Sequence, residues 1–551
     1  MVVPRPRPAA RQCYESQAGS ARTHPKVWKG ATTQASRDAI SRINLFRRFL
    51  LLRREFLGAT ASLPLLAVAD RALAADAAPF DGATVRNMAR QLALQPYKAA
   101  ENTLPAPFKN LDFDAYRGIR FDPDRSLWRG QGRKFTVQFF HRGYIYPDRV
   151  NIFEVADGKA SPIVYSADLF TFEKVAAPTG DLGFAGLRIH YPLNQPGSAD
   201  EVCAFLGASY FRAIAKGQGY GISARGLAIK TADPGGEEFP VFRSFWLERP
   251  APGADIIVIH ALLDSPSAAA AFRFTIRPGE DTVFDTETAT YPRTDLAAAG
   301  LAPLTSMFLF DTNDHVRFDD WRAAVHDSIG LQIHTGHDEA IWRPLTNPRD
   351  LQISAFEDIG PRGFGLLQRK RNFFDYHDLE SHYEKRPSLW IEPIGDWGHG
   401  VVELVEIPSE REVNDNMVAF WRPHDPLRAK GEYLLNYRLH WCWAPPNEAR
   451  LAQVMQTRGG LSFDQKHRQF IIDFVGDSLK ALKPDSPPAL DAASDKGKII
   501  SAFTQPNPEV NGWRVSIELD TQGNKLVELH ARLMQGDQPL TETWIYRWTQ
   551  G

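Results

Sequence analysis

The sequence predicts a mainly β protein assembled from β-sandwiches, and three observations carry that reading. Short runs of Val, Ile, Phe, Thr and Trp recur along the chain, 39 Pro and 40 Gly punctuate them, and a helical period is confined to the stretch before residue 120. At 551 residues with 43% hydrophobic and 24% charged side chains, the chain is long enough for about two or three domains with a sizeable core.

Residues 1–50 form a basic extension without periodicity. Arg53-Arg54-Glu55-Phe56-Leu57-Gly58, the apolar run 59–69 and Ala72-Leu73-Ala74 then read as a twin-arginine region, a hydrophobic region and a cleavage site. The apolar run is too short to span a bilayer, which takes roughly 20 residues. The expectation is therefore a signal peptide and export by the twin-arginine (Tat) pathway, with the mature chain beginning near residue 76. The next element is a helix at 84–94, which brings Val85, Met88, Leu92 and Leu94 near one face.

From there strands dominate. The runs 134–140, 149–155, 272–277, 401–407 and 417–421 alternate or stay apolar between Gly, Pro and Asp breakers, as large antiparallel sheets packed face to face require. Composition shifts at Trp441-Cys442-Trp443-Ala444-Pro445-Pro446. Beyond it, strands at 469–475, 498–503, 513–519, 526–534 and 543–548 fit an immunoglobulin-like sandwich of about 100 residues. The expected organisation is an extension and signal at 1–75, a large sandwich at 76–440, a linker at 441–452 and a smaller sandwich at 453–551.

Charge narrows the function. Residues 1–75 carry 13 Lys and Arg against 4 Asp and Glu, which leaves 51 against 62 on residues 76–551, a net of −11. That balance argues against nucleic acid, whose binders concentrate positive charge on phosphates. Three cysteines, Cys13, Cys203 and Cys442, make no disulfide framework, and the last two read as buried thiols. No phosphate loop, dinucleotide fingerprint or G-x-S-x-G elbow occurs. His334 and His337 lack the ligand company of a zinc site, so neither a metal nor a cofactor is expected.

The informative stretch is 372–422. There Tyr376, Tyr383, Trp390, Trp397 and Trp421 mingle with Asp375, Asp378, Glu380, Glu392, Asp396, Glu403, Glu406, Glu412 and Asp415. Aromatic faces that stack on sugar C–H surfaces, beside carboxyls that bind hydroxyls or move protons, are what a glycan cleft needs. Composition alone does not select one carboxylate among so many.

Several phrases single out a family. They are Asp181-Leu182-Gly183-Phe184-Ala185-Gly186, Phe205-Leu206-Gly207-Ala208-Ser209-Tyr210-Phe211-Arg212-Ala213, Ser223-Ala224-Arg225-Gly226-Leu227-Ala228, Arg386-Pro387-Ser388-Leu389-Trp390-Ile391-Glu392-Pro393 and Asn414-Asp415-Asn416-Met417-Val418-Ala419-Phe420-Trp421. In that order, over nearly all of 78–550, the chain resembles the osmoregulated periplasmic glucan biosynthesis proteins of G and D type. The resemblance implies a large galactose-mutarotase-like β-sandwich carrying the cleft, followed by a smaller immunoglobulin-like domain. It also implies periplasmic work on β-1,2-linked glucan.

Family members resemble inverting β-1,2-glucanases, with a general acid in the N-D-N phrase and a general base in an H-D phrase that acts through water and a substrate hydroxyl. Carried over, these are Asp415 and Asp327, the latter in Ala324-Val325-His326-Asp327-Ser328. Tyr383, Glu412, Trp390 and Trp421 are the expected substrate-binding residues. The rival implied role is a glucan-binding scaffold acting with a membrane glucan synthase, and the resemblance admits a homodimer. Twin-arginine export points to the D type, which is the expectation, although Asp378-Leu379-Glu380 and Gly395-Asp396-Trp397-Gly398 resemble the G type.

Overall fold

The computed structural model of the chain describes residues 77–100, 103–446 and 451–550. The twin-arginine run, the apolar run and the cleavage site lie outside the described residues. Thr84–Ala93 is the helix expected at 84–94; it buries Val85 and Ala89 against Trp246 and Tyr291 on the back of a large sheet. No helix among the described residues is long and apolar enough to cross a membrane.

Two sheets build the main body. One contains, as successive neighbours, Asn151–Ala156, Val241–Glu248, Ile257–Asp264, Ala268–Arg277, Thr282–Pro292, Tyr433–Cys442, Ser388–Ile394, Gly363–Leu367, Gly330–His334 and Ala340–Pro344. The other runs Gln352–Ile359, His399–Glu406, Met417–Pro423, Ala299–Ser306, Ser223–Arg225, Tyr210–Ala213, Asp200–Leu206, Phe184–Tyr191 and Thr136–His141. Period-two alternation gives each strand an apolar face, and these faces meet in one core. Its centre is aromatic. Phe205 packs on Phe211 with ring centroids 5.3 Å apart, Phe211 on Phe274 at 5.1 Å, and Phe284 on Trp441 at 4.7 Å. Such pairs add about 0.5–1.5 kcal/mol each beyond the area they bury. Cys203 and Cys442 are buried and not joined to each other, as the sequence suggested.

The C-terminal strands form a second sandwich. Gln453–Leu461, Arg468–Val475, Gly512–Asp520 and Lys498–Asn507 make one layer, and Ala489–Ser494, Leu526–Gln535 and Thr543–Thr549 the other. This second layer continues the first large sheet, because Thr543–Thr549 pairs in parallel with Ala340–Pro344 through Trp342↔Trp544. The core is shared as well: Trp342, Leu367 and Trp390 lie in one cluster with Phe470, Trp513 and Trp544. Arg369 grips Glu542 with two bonds of 2.6 and 3.0 Å, beside the Trp342 ring, and so ties the two parts together.

A second buried ion pair anchors the strand that leads to the site. Arg343 and Glu406 are 1% and 0% exposed and meet at 2.9 Å, while Thr346 donates its N–H and hydroxyl to the other Glu406 oxygen at 2.8 and 2.9 Å. Removing one charge of such a pair strands the other in a medium that cannot solvate it, at a cost of about 3–5 kcal/mol. Glu406→Gln is therefore expected to lower the thermal unfolding midpoint by several degrees, read by scanning calorimetry. An unchanged midpoint would contradict the importance given to the pair.

Candidate active site

Three neighbouring strands of the first sheet, Gly330–His334, Gly363–Leu367 and Ser388–Ile394, are antiparallel, so the start of the first and third lies beside the end of the second. Those ends carry Asp327, Gln368 and Arg386. Topology alone thus gathers residues as much as 59 positions apart in sequence. Asp327 is 4% exposed; its N–H donates to Met307 O at 2.8 Å, and its carboxylate accepts a hydrogen bond from Arg386 Nη1. Gln368, 1% exposed, sits between them. Its amide nitrogen donates to His326 O at 3.1 Å and to Tyr383 O at 3.4 Å, joining the Asp327 segment to the turn before Arg386. Arg371 braces the same turn by donating to Glu384 O at 3.2 Å and to Arg386 O. Gly221 lets the Arg386 side chain lie close, since a Cβ there would meet Arg386 Cβ at 3.0 Å.

Asp415 comes from the second sheet, just ahead of Met417–Pro423. Its neighbours do the holding. Asn416 donates to Phe308 O and Ile407 O at 3.0 Å each and accepts from Phe308 N at 2.9 Å. Asn347 clasps Ser409 through its C=O at 2.7 Å and its N–H at 2.9 Å, and Asn414 donates to Ser409 Oγ at 3.1 Å. Met307 and Phe308 are therefore a shared ledge, with Asp327 bonded to one residue and Asn416 to the next. In the N-D-N phrase the two asparagines hold the loop in place around Asp415.

Arginines surround both carboxyls. Phe211, Ala213 and Ala224 point into the core, so alternation turns Arg212 and Arg225 to the opposite face, where Arg225 pairs with Glu237 at 2.6 Å and lies 5.0 Å from the Tyr210 ring. Arg322 meets Glu412 at 2.7 Å and Asp378 at 3.1 Å.

The two aspartates differ in how they hold a proton. Burial pushes Asp415 up to about 6; Arg212 opposes that shift and the nearby Asp327 charge adds to it. Asp327 is raised too, by burial, against the opposing pull of Arg386 and then Arg212, and Arg386 donates directly to its carboxylate. His326 supplies no charge, because burial drives it down to about 3. The arrangement favours a protonated Asp415 beside an ionised Asp327 in mildly acidic solution. If both states are needed, activity falls at low pH as Asp327 gains a proton and falls again as pH rises through about 6 and Asp415 loses one. A pH–rate profile of kcat/KM should be bell-shaped with its basic limb near pH 6, the limbs belonging to the coupled pair. A profile flat from pH 5 to 8 would contradict this.

The other expected residues separate. Tyr383 is fully buried in the turn next to Arg386, whose guanidinium lies 4.2 Å from its ring; its hydroxyl is covered and has no hydrogen-bond partner among the described residues. Glu412 stands three residues before Asp415, held by Arg322. Trp390 and Trp421 do not line the site. They are 1% and 0% exposed, Trp390 packed over Gly363 and Gly365 and Trp421 over Gly400, and a ring so covered cannot stack on a sugar. Strand period explains the difference: Phe420 and Trp421 must face opposite ways, and Trp421 takes the core side. Tyr376 and Trp397 are likewise buried. His334 packs on Trp390 while His337 is exposed beside Asp358, so these two make no common site. Sequence reading missed the roles of Arg386, Arg212 and Arg225, although each lies inside a phrase quoted for the resemblance. Gln368 and Arg322 carried no signal at all.

A family model described as "Periplasmic glucan biosynthesis protein, MdoG" matches residues 80–548. The chain belongs to this periplasmic glucan biosynthesis family. Similar proteins named "Glucans biosynthesis protein G" include one from Rhodopseudomonas palustris (strain BisA53), 55% identical over 502 residues, and one from Bradyrhizobium diazoefficiens, 52% identical over 502 residues; each match covers 90% of this chain and 99% of the relative. One from Vibrio cholerae serotype O1 is 48% identical over 476 residues, 85% of this chain and 87% of the relative. These family members are named G, so the D type expected from the twin-arginine run is not supported. An export address is read by its own receptor and need not track the branch of the folded part.

Proposed function

We propose that this chain is a periplasmic, inverting endo-hydrolase of linear β-1,2-glucan, exported by the twin-arginine pathway, that sets the length of the glucan backbone. One observation carries the reading: two aspartates near enough for the charge of Asp327 to raise Asp415 are held differently, the partly buried Asp415 lifted to about 6 and the buried Asp327 raised as well but bound by a guanidinium. Asp415 gives its proton to the glycosidic oxygen as the C–O bond breaks. Water attacks the anomeric carbon from the other side, and its proton passes through a substrate hydroxyl to Asp327. Asp415 ends ionised and Asp327 protonated, and solvent resets both. Tyr383 and Glu412 bind glucan hydroxyls beside them. Residues 76–440 are the unit that handles glucan, and residues 453–551 are its immunoglobulin-like support.

A second reading has its own support. The name of the relatives says biosynthesis, and the Arg386–Asp327 pair would also suit a purely structural ion pair in a scaffold that guides glucan from a membrane synthase. Incubation of the purified chain with linear β-1,2-glucan, followed by size-resolving chromatography, separates the two. Progressive shortening supports the hydrolase; retention of glucan at unchanged length supports the scaffold.

A further inference from the structure

The rim of the site presents a large aromatic that the reading above leaves unused. Trp321 is 74% exposed and lies six residues before Asp327, on the segment joining Phe308–Phe310 to Val325–His326. A lone exposed ring is ordinary on a protein surface. This one is pinned. Its neighbour Arg322 has a side chain only 12% exposed and gathers carboxylates from three segments: Asp320 at 2.7 Å, Asp378 at 3.1 Å and Glu412 at 2.7 Å. The same guanidinium lies 5.9 Å from the indole centroid. Leu379, next to Asp378, is 75% exposed.

The hub runs without a break into the site, since Glu412 is three residues from Asp415, and the charges of Glu412 and Arg322 both reach Tyr383. The indole is therefore one guanidinium away from the groups that act on glucan. Water gains nothing from so large a bare ring, whereas the C–H face of a pyranose matches it, and the ion-paired hub removes the entropy cost of holding the loop still.

We propose that Trp321 is an outer glucan subsite, where a glucose unit some residues along the chain from Asp415 stacks on the indole, with Leu379 extending the apolar surface. The inference rests on the glucan reading of the site. It makes binding depend on chain length: short glucans that fill only the pocket around Asp415 do not reach the ring, and longer ones do.

The test uses the full chain carrying Asp415→Asn, which is expected to bind glucan without cutting it, as the parent, the same chain with Trp321→Ala or Trp321→Phe, and a graded series of linear β-1,2-glucans, with affinity from titration calorimetry. Trp321→Ala is expected to weaken long glucans about 3- to 10-fold, leave the shortest bound ones unchanged, and be largely rescued by Trp321→Phe. Affinity unchanged at every length, or lost equally at every length, overturns the subsite while leaving the site's glucan reading intact. So does a change in sedimenting mass with no change in affinity, which would mark the ring as a contact between copies. A parent chain that binds no glucan of any length overturns both.

Discussion

Asp415→Asn is expected to reduce glucan shortening by about 10²- to 10⁴-fold while glucan binding stays within a few-fold of the parent. The reason is local: the asparagines on either side hold the main chain, so the loop keeps its shape when the aspartate loses its acid. The same substitution should raise stability, with a sign fixed by the proton. The folded chain lifts Asp415 from an ordinary 3.8 to about 6, so it keeps a proton that the unfolded chain gives up. Folding is favoured by this below pH 3.8, and the advantage is lost as pH rises through about 6, leaving a penalty on the order of 2–3 kcal/mol at neutral pH. Asparagine is neutral and escapes it. The variant should melt several degrees higher at pH 7 and close to the parent at pH 4. A variant that still cuts, or one whose stability gain is the same at both pH values, would refute the acid assignment.

Arg386→Ala should have the second largest effect, through Asp327. With the guanidinium gone, a carboxylate 4% exposed keeps its burial and loses its nearest counter-charge, so its pKa climbs. The acid limb of the pH–rate profile then moves up toward the limb of Asp415, and the window in which one is ionised and the other protonated narrows. The expected outcome is a bell that is both lower and narrower, together with a fall in the unfolding midpoint from about 3–5 kcal/mol of lost stability. Arg386→Lys, which restores a charge without the planar fork, should recover part of the width. If the acid limb does not move, Arg386 does not govern the ionisation of Asp327.

The fold was legible wherever period two and breakers act locally. The strands expected at 134–140, 401–407 and 526–534 stand as Thr136–His141, His399–Glu406 and Leu526–Gln535. What those patterns do not hold is which strands become neighbours. Asp327, Gln368 and Arg386 meet only because their strands lie side by side, and nothing within any one of them announces it. Facing was equally hidden at Trp421, where a shift of one residue exchanges the main core for the buried patch on the other face of the sheet. The tryptophans expected to bind sugar, Trp390 and Trp421 in the stretch 372–422, misled for a related reason: large rings stabilise a sandwich core as readily as they bind sugar. Trp321, which the structure leaves in the open, lies outside that stretch.

The most direct measurement is proton NMR of linear β-1,2-glucan in the first minutes after the parent chain is added, following the anomeric signal of newly formed reducing ends. Inversion at a β-linkage gives the α-anomer first, with the β-anomer growing in as solution mutarotation proceeds, and that is the result expected from a protonated Asp415 and a water-activating Asp327. The β-anomer first would mean retention and a nucleophile, and would contradict the roles given to both aspartates. No new reducing ends, from a chain that binds the glucan, would contradict hydrolysis itself.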